Sequence, residues 1–424
     1  MNAVVLSLFL GGLALCITCG RSLLWALAFG LLCFMGQALW RGVPVHRIMV
    51  LCVQGLRRLG NILTIFVLIG MLTAVWRAAG TIPYIIHHCL PLVDPAHFPL
   101  GVFLLCSLLS LLLGTSFGTA STLGVVFMLL ARTAGLDPLV TAGAVMSGIY
   151  VGDRCSPMSS SAALVCALTG TSIHDNVRLM WRASFLPFLL ACLAYALLPA
   201  APAGGGLPAV GLFFADGLVP DAWSLLPAAF MLVPLFFRLE VKKIMLGSIL
   251  AGCAVSLAVQ QMPFPALLHC LVCGYEPPAG LEILSGGGLL SMVPVAGIVV
   301  LTSAYAGLME ATGLMAGVTA IGRKLARRLG AFRTTVLAAI PVAAVSCNQT
   351  LGIILTRQLC GPLWTDPRRM MLPLEDGIVL LAALIPWSIA GSVPCAILGV
   401  GASCLPYAFY LYFVPLADLL LRRD

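Results

Sequence analysis

The sequence predicts an all-α polytopic membrane protein, with roughly 10–12 transmembrane segments in two inverted-topology repeats and with broken or re-entrant helices. Three observations carry this prediction. Of the 424 residues, 61% are hydrophobic and only 9% charged, with a mean hydropathy of +1.08; an ordinary soluble domain has about 25% charged residues. Apolar stretches recur from one end of the chain to the other. The polar residues inside them gather in short Gly-, Ser- and Thr-rich interruptions at matching places in the two halves.

The elements follow in order. Residues 1–59 hold two N-terminal spans, Val4–Cys19 and Leu23–Leu39, and a basic loop. Val4–Cys19 lacks the basic leader and clear cleavage site of a signal peptide, so it reads as a retained helix. A first repeat, 60–198, contains Ile62–Val75, Leu100–Leu113, Val125–Leu130, Leu139–Val151, Ala162–Leu168 and Phe185–Leu198. A connector, 199–243, carries one helix at Leu225–Phe237. The second repeat, 244–424, contains Ile244–Val259, Leu289–Leu308, Thr335–Val345, Gly377–Ile389 and Ala396–Leu420. Several of these are shorter than the ~20 residues a helix needs to cross alone, as broken or re-entrant helices are.

The formal net charge is +8, which in a soluble protein would raise nucleic acid as a partner. In a membrane chain, Lys and Arg instead mark cytoplasmic loops. Arg41, Arg47, Arg57 and Arg58 crowd one loop, and Arg238, Lys242 and Lys243 another. Arg323, Lys324, Arg327, Arg328 and Arg333 form the densest cluster, and Arg422 and Arg423 end the chain. Pro199–Asp221 and Met262–Leu281 contain no Lys or Arg and are assigned to the outer side. Most of the 16 cysteines lie in apolar runs, where cysteine acts as a small hydrophobe. His269-Cys270-x-x-Cys273 and His87-His88-Cys89 lack the further ligands that a metal site needs. No cofactor and no resident metal are expected.

The repeat rests on charge as well as residues. Ala74–Gly80 aligns with Gly307–Gly313, placing Arg77 opposite Glu310. A basic loop precedes the first copy and Thr81–Pro99, without Lys or Arg, follows it; the second copy is followed by the densest basic cluster. A reversed charge bias is the signature of inverted topology. Thr115 stands 35 residues after Gly80, and Asn348 stands 35 after Gly313, in Ser346-Cys-Asn-Gln-Thr350. Farther on, Asp153 in GDRCSPMSSS (152–161) is answered by Glu375 and Asp376.

Unwound backbone inside a membrane frees carbonyls to coordinate a cation, and Ser or Thr hydroxyls can replace its water. A carboxylate there is costly unless it is paired, protonated or cation-bound. Asp153, Glu310, Glu375 and Asp376 are the acids expected at membrane depth. Simpler roles compete at each. Asp153 and Arg154 can form a local ion pair, Glu310 can bridge to Arg77, and Glu375-Asp376 can cap the helix that follows. Gly114–Thr122 can be a tight helix crossing.

These residues resemble the NhaC family of sodium/proton antiporters. Gly114-Thr-Ser-Phe-Gly-Thr119 resembles its GTS[WF]GT motif, and residues 147–159 resemble its SGAYFGDKxSPLS segment. Leu374-Glu-Asp376, Leu384-Ile-Pro-Trp387 and Leu405-Pro-Tyr-Ala-Phe409 resemble its LED…LIPW…LPYAF run, in the same order. The resemblance spans residues of about 60 to 415 and implies a secondary transporter of the bacterial inner membrane, usually a homodimer, exchanging protons for sodium or another monovalent cation. Carried over, the ion site is Thr115, Ser116, Gly118, Thr119, Asp153, Ser156, Ser159, Ser160, Asn348, Glu375 and Asp376. Proton coupling falls to Asp153, with Glu310 or Asp376 as second candidates.

The departures bear on the cargo. The family continues SPLSDTTN, with an acid where this chain has Ser160, then Ser161, Ala162 and Ala163. A polar stretch after LED has become Gly377-Ile-Val-Leu-Leu-Ala-Ala383, and the Asn after IPW is Ser388. A hard cation wants oxygen ligands, so the cation preference is expected to differ. An organic acid such as malate or lactate, or an amino acid, is the alternative cargo, held by half-helix N-termini with Arg77 or Arg154. An enzyme is not expected, since the polar breaks hold no paired nucleophile and base.

Overall fold

The structure, a computed structural model, describes residues 5, 7–9, 11–12, 15–16, 23–57, 60–89, 94, 96–198, 219, 221–233, 240–277, 284–312 and 328–421. Among these, every regular element is helical, and Tyr275 and Gly286 form an isolated antiparallel bridge. Most of the connector and the basic run 323–327 fall outside the described residues, as does the side chain of Glu310, whose backbone belongs to the last turn of a helix.

Three helices frame one side: α1 (Leu23–Trp40), α2 (Val45–Arg57) and α3 (Gly60–Ala78). α3 bends by 63° at Ala79-Gly80 into α4, Thr81–Cys89. Gly80 supplies the required left-handed conformation, φ 73°. Then come α5 (Phe98–Leu113), α6 (Ser116–Thr133), α7 (Pro138–Cys155), α8 (Ser160–Thr169) and α9 (Ile173–Leu197). α6 joins the predicted Val125–Leu130 run to the polar stretch before it, giving an 18-residue span.

α10 (Leu226–Leu232), α11 (Val241–Ala258) and α12 (Phe264–Cys273) follow. The chain ends with α13 (Val293–Thr312), α14 (Ala331–Ser346), α15 (Gln349–Cys360), α16 (Pro367–Leu384), α17 (Ile389–Ile397) and α18 (Phe409–Leu421). α16 and α17 form a second bent pair, at 52°.

α9 shows why such helices sit in lipid. Its buried residues, Asn176, Met180, Ser184, Pro187, Ala191 and Tyr195, recur every three or four positions, so they share one face. The opposite face exposes Leu179, Phe185, Leu186, Leu189, Leu193 and Leu197. An apolar stripe turned outward suits contact with hydrocarbon.

Packing follows the same division. α1 and α2 lie against α13, where Leu27, Phe34, Ala304 and Leu308 share a small core. α3 packs on α11 and α12, with Trp76 Nε1 donating to Ser248 Oγ at 2.9 Å. The most extensively packed helix pair among the described residues is α5 with α7. A methyl group at Gly148 would lie 2.6 Å from Cys106 Cβ and 2.8 Å from the Phe103 carbonyl oxygen. Small residues allow such approach where no hydrophobic force drives helices together. This packing holds the end of α7, with Asp153 and Arg154, in the middle of the protein.

Candidate functional site

Two matching breaks bring the candidate residues to the centre. α5 ends at Gly114 (φ 65°, left-handed), and Thr115 is the extended N-cap of α6 (φ −135°, ψ 127°). In the second half α14 ends at Cys347 (φ 53°), and Asn348 is the extended N-cap of α15 (φ −142°, ψ 126°). The residues that the sequence aligned, Thr115 and Asn348, therefore hold the same backbone position. Asn348 Oδ1 accepts from the backbone N–H groups of Thr350 at 2.9 Å and Leu351 at 3.4 Å. Thr115 Oγ1 is buried without a hydrogen-bond partner among the described residues.

The break after Leu113 is shorter than the polar composition predicts. Only Gly114 and Thr115 leave the helix, and Ser116, Gly118 and Thr119 lie inside α6, which widens into a π turn at Ala120–Gly124. Hydroxyls wind the segment by bonding carbonyls one turn back: Thr119 to Thr115 O at 3.1 Å, and Thr122 to Gly118 O at 2.9 Å.

The third break follows Cys155. Ser156 is extended and donates through Oγ to Leu111 O at 2.7 Å. Ser159 caps α8 by accepting from the backbone N–H groups of Ser161 and Ala162, and its hydroxyl donates to the Asp153 carbonyl. Pro157 sits in the turn between the two helices. Ser160, where the resemblance places the family acid, is exposed, whereas Ser159 and Ser161 are buried.

Asp153 is 4% exposed. Its Oδ2 accepts from Gln349 Nε2 at 2.9 Å and from Ser161 Oγ at 3.4 Å. Gln349 Nε2 also donates to the Val379 carbonyl at 3.1 Å, which ties the start of α15 to α16. Both donors to Asp153 are neutral. The adjacent cation, Arg154, turns elsewhere. Fully buried, it donates from Nε to Asp376 Oδ1 at 2.6 Å, with Nη2 on the same oxygen. Its Nη1 donates to Met180 O at 3.1 Å and contacts Cys155 Sγ at 3.1 Å. The local Asp153–Arg154 pair considered above is thus replaced by a pair between the two halves.

Glu375 and Asp376 do not cap a following helix. They lie within α16, in a second π turn over Leu374–Val379. Glu375 is fully buried, and among the described residues neither its Oε1 nor its Oε2 is hydrogen-bonded and Asp376 Oδ2 has no hydrogen-bond partner. Two π turns, Ala120–Gly124 and Leu374–Val379, therefore sit in the two polar regions, as such turns often do at functional sites.

The sequence missed three things. Gln349 stands beside Asn348 in the same polar break, and its two-donor amide was the available signal. Ser161 was passed over in favour of its neighbours. Asp418, the lone acid in the last apolar span, is buried on α18. The Arg77–Glu310 bridge falls on a side chain outside the described residues; Arg77 itself donates to Thr73 O at 2.8 Å. No hydrogen bond among the described residues joins Thr115, Ser116, Gly118 or Thr119 to Asp153. Among the described residues, no three His, Cys, Asp or Glu side chains are placed to share a metal ion.

A helical, lipid-facing chain whose two halves each break at its centre, around buried carboxyl groups, is a polytopic membrane transporter. The chain belongs to the Na+/H+ antiporter family, whose profile matches residues 1–200 and 215–422. It is 28% identical over 408 residues to the Na+/H+ antiporter NhaC of Bacillus subtilis (strain 168), covering 91% of this chain and 88% of that one. It is 27% identical to NhaC of Alkalihalophilus pseudofirmus, over 84% of this chain and 80% of that one. It is also 26% identical to the malate-2H+/Na+-lactate antiporter of Bacillus subtilis (strain 168), over 82% and 78%.

Proposed function

We propose that this protein exchanges protons for sodium, or another monovalent cation, across a bacterial inner membrane, with Asp153 as the group for which the two compete. The observation that carries this reading is the setting of Asp153: a buried carboxyl group met, among the described residues, only by two neutral donors, while the one adjacent arginine is committed to Asp376. A carboxylate at membrane depth without a fixed counter-charge is stable when it holds a proton or a mobile cation, and holding one excludes the other. That mutual exclusion is enough to couple two opposite flows.

In the same reading Asp376 no longer competes as a proton carrier, because Arg154 holds it. Glu375, fully buried and without a hydrogen-bond partner among the described residues, takes that second role. The hydroxyls of Ser159 and Ser161 and the breaks at Thr115 and Asn348 would supply oxygens around the cation. We further propose that residues 60–198 and 244–424 are two inverted repeats joined by 199–243, and that two copies of the chain assemble in the bilayer. Matching dihedral angles at Thr115 and Asn348 support the repeat.

A second reading, exchange of an organic acid on the same fold, is favoured by the malate/lactate relative. It asks for an arginine free to meet a carboxylate. Arg154 has every nitrogen engaged and is fully enclosed, which leaves Arg77, whose Nε has no hydrogen-bond partner among the described residues.

Purified protein in proteoliposomes under an imposed pH gradient separates the readings. Collapse of the gradient on adding sodium or lithium alone, followed by an internal pH dye, is the expected result. Collapse only with malate or lactate would overturn cation–proton exchange in favour of the organic-acid reading.

A further inference from the structure

One helical turn along α16 from Asp376, a cavity of about 450 Å3 opens between the start of α9, the first turn of α14 and the start of α16, with Leu372 in its wall. One part of its wall is cationic, with Arg368 and Arg369; another is apolar, with Leu179, Phe332 and Leu372; Trp364 stands among them. Both arginines are exposed. Trp364 Nε1 donates to Thr335 Oγ1 at 3.1 Å, which fixes the indole against α14.

The flanking sequence is also basic. Arg178 and Arg182 lie one residue before and three after Leu179 on α9, both exposed, and Arg333 follows Phe332 on α14. Two acids lie nearby in sequence. Asp366 caps the turn that carries Arg368, accepting from its backbone N–H at 3.0 Å, and Asp175 is exposed in the first turn of α9.

Orientation adds to the argument. The segment after α9 carries no Lys or Arg and the segment before α14 carries the densest basic cluster, so the positive-inside rule places this mouth on the cytoplasmic side. That leaflet is rich in anionic lipid, and basic pockets between helices on that side hold lipid head groups. We propose that this cavity binds one anionic phospholipid, its phosphate against Arg368 and Arg369 and an acyl chain along Leu179, Phe332 and Leu372. A lipid is the occupant that matches both walls: a soluble anion would leave the apolar one without a partner. Leu179 is also 46% exposed and begins the lipid-facing stripe of α9, so an acyl chain on it would continue into the bilayer.

The test uses the full-length protein purified in a neutral detergent, with phosphatidylglycerol, phosphatidylcholine or inorganic phosphate added in turn. Retained lipid is counted by native mass spectrometry and melting temperature is followed in parallel. Phosphatidylglycerol is expected to be retained about thirtyfold better than phosphatidylcholine, as about 1 kcal/mol from each of two arginines would give, and to raise the melting temperature. The exposed pair R368Q/R369Q should fold and exchange ions in phosphatidylcholine vesicles as the parent does, but lose the preference. Equal retention of the two lipids by the parent overturns the proposal, as does a preference that survives in R368Q/R369Q. Stabilisation by inorganic phosphate equal to that by phosphatidylglycerol overturns it too, by assigning the arginines to a soluble anion.

Discussion

Arg154 and Asp376, 222 residues apart in the chain, form a fully enclosed ion pair that joins the end of α7 to the π turn of α16. Removing one partner leaves a buried charge uncompensated, a loss of about 3–5 kcal/mol. Arg154→Gln and Asp376→Asn should therefore each lower the melting temperature in detergent markedly. The exchanged pair R154D/D376R should recover part of the loss. A melting curve for Asp376→Asn that overlays the parent's would show that the pair contributes nothing.

Asp153 makes a different prediction. Asn keeps the shape and still meets Gln349 and Ser161, but it cannot exchange a proton for a cation. Asp153→Asn is expected to fold, to melt within a few degrees of the parent, and to show no sodium-driven proton movement in proteoliposomes. Full exchange activity in this variant would remove Asp153 from the mechanism.

Gln349 orients that carboxylate while gripping the Val379 carbonyl. A hydrogen bond to a charged group contributes about 1.5–3 kcal/mol, and 1.4 kcal/mol is tenfold in an equilibrium constant. Gln349→Leu should raise the KM for sodium by about tenfold or more on that basis, with a much smaller change in the maximal rate. A fall in rate at constant KM would assign Gln349 to movement of the helices instead of to the site.

Ser160 tests the one position where the chain departs from the family's acid. It is exposed at the first position of α8. Ser160→Asp places a carboxylate at a helix N-terminus, which is favourable by about 0.3–1 kcal/mol, without adding an oxygen to Asp153. Stability should hold or rise slightly and the KM for sodium should stay within about twofold, a change below 0.5 kcal/mol. A large fall in KM would mean that Ser160 faces the bound cation.

By itself the sequence determined the solvent of this protein and the places where its helices break. Both are local properties. Hydropathy is summed along a span, and a break follows from glycine at Gly114, from the N-capping power of Asn348, or from proline and serine at Ser156–Ser159. The aligned positions Thr115 and Asn348 consequently turned out to share one backbone geometry. The partners were not legible. Asp153 and Arg154 are neighbours in the chain and read as each other's counter-charge, yet successive residues on a helix point about 100° apart. One meets Gln349, 196 residues on, and the other meets Asp376. Burial of Ser161 beside exposed Ser160, the π turn that carries Glu375 and Asp376, and the basic cavity at Arg368 all depend on which helix packs against which. Only the tertiary structure decided these, because in a chain this uniformly apolar many packings satisfy the hydrophobic pattern, and a few buried polar contacts between distant segments select among them.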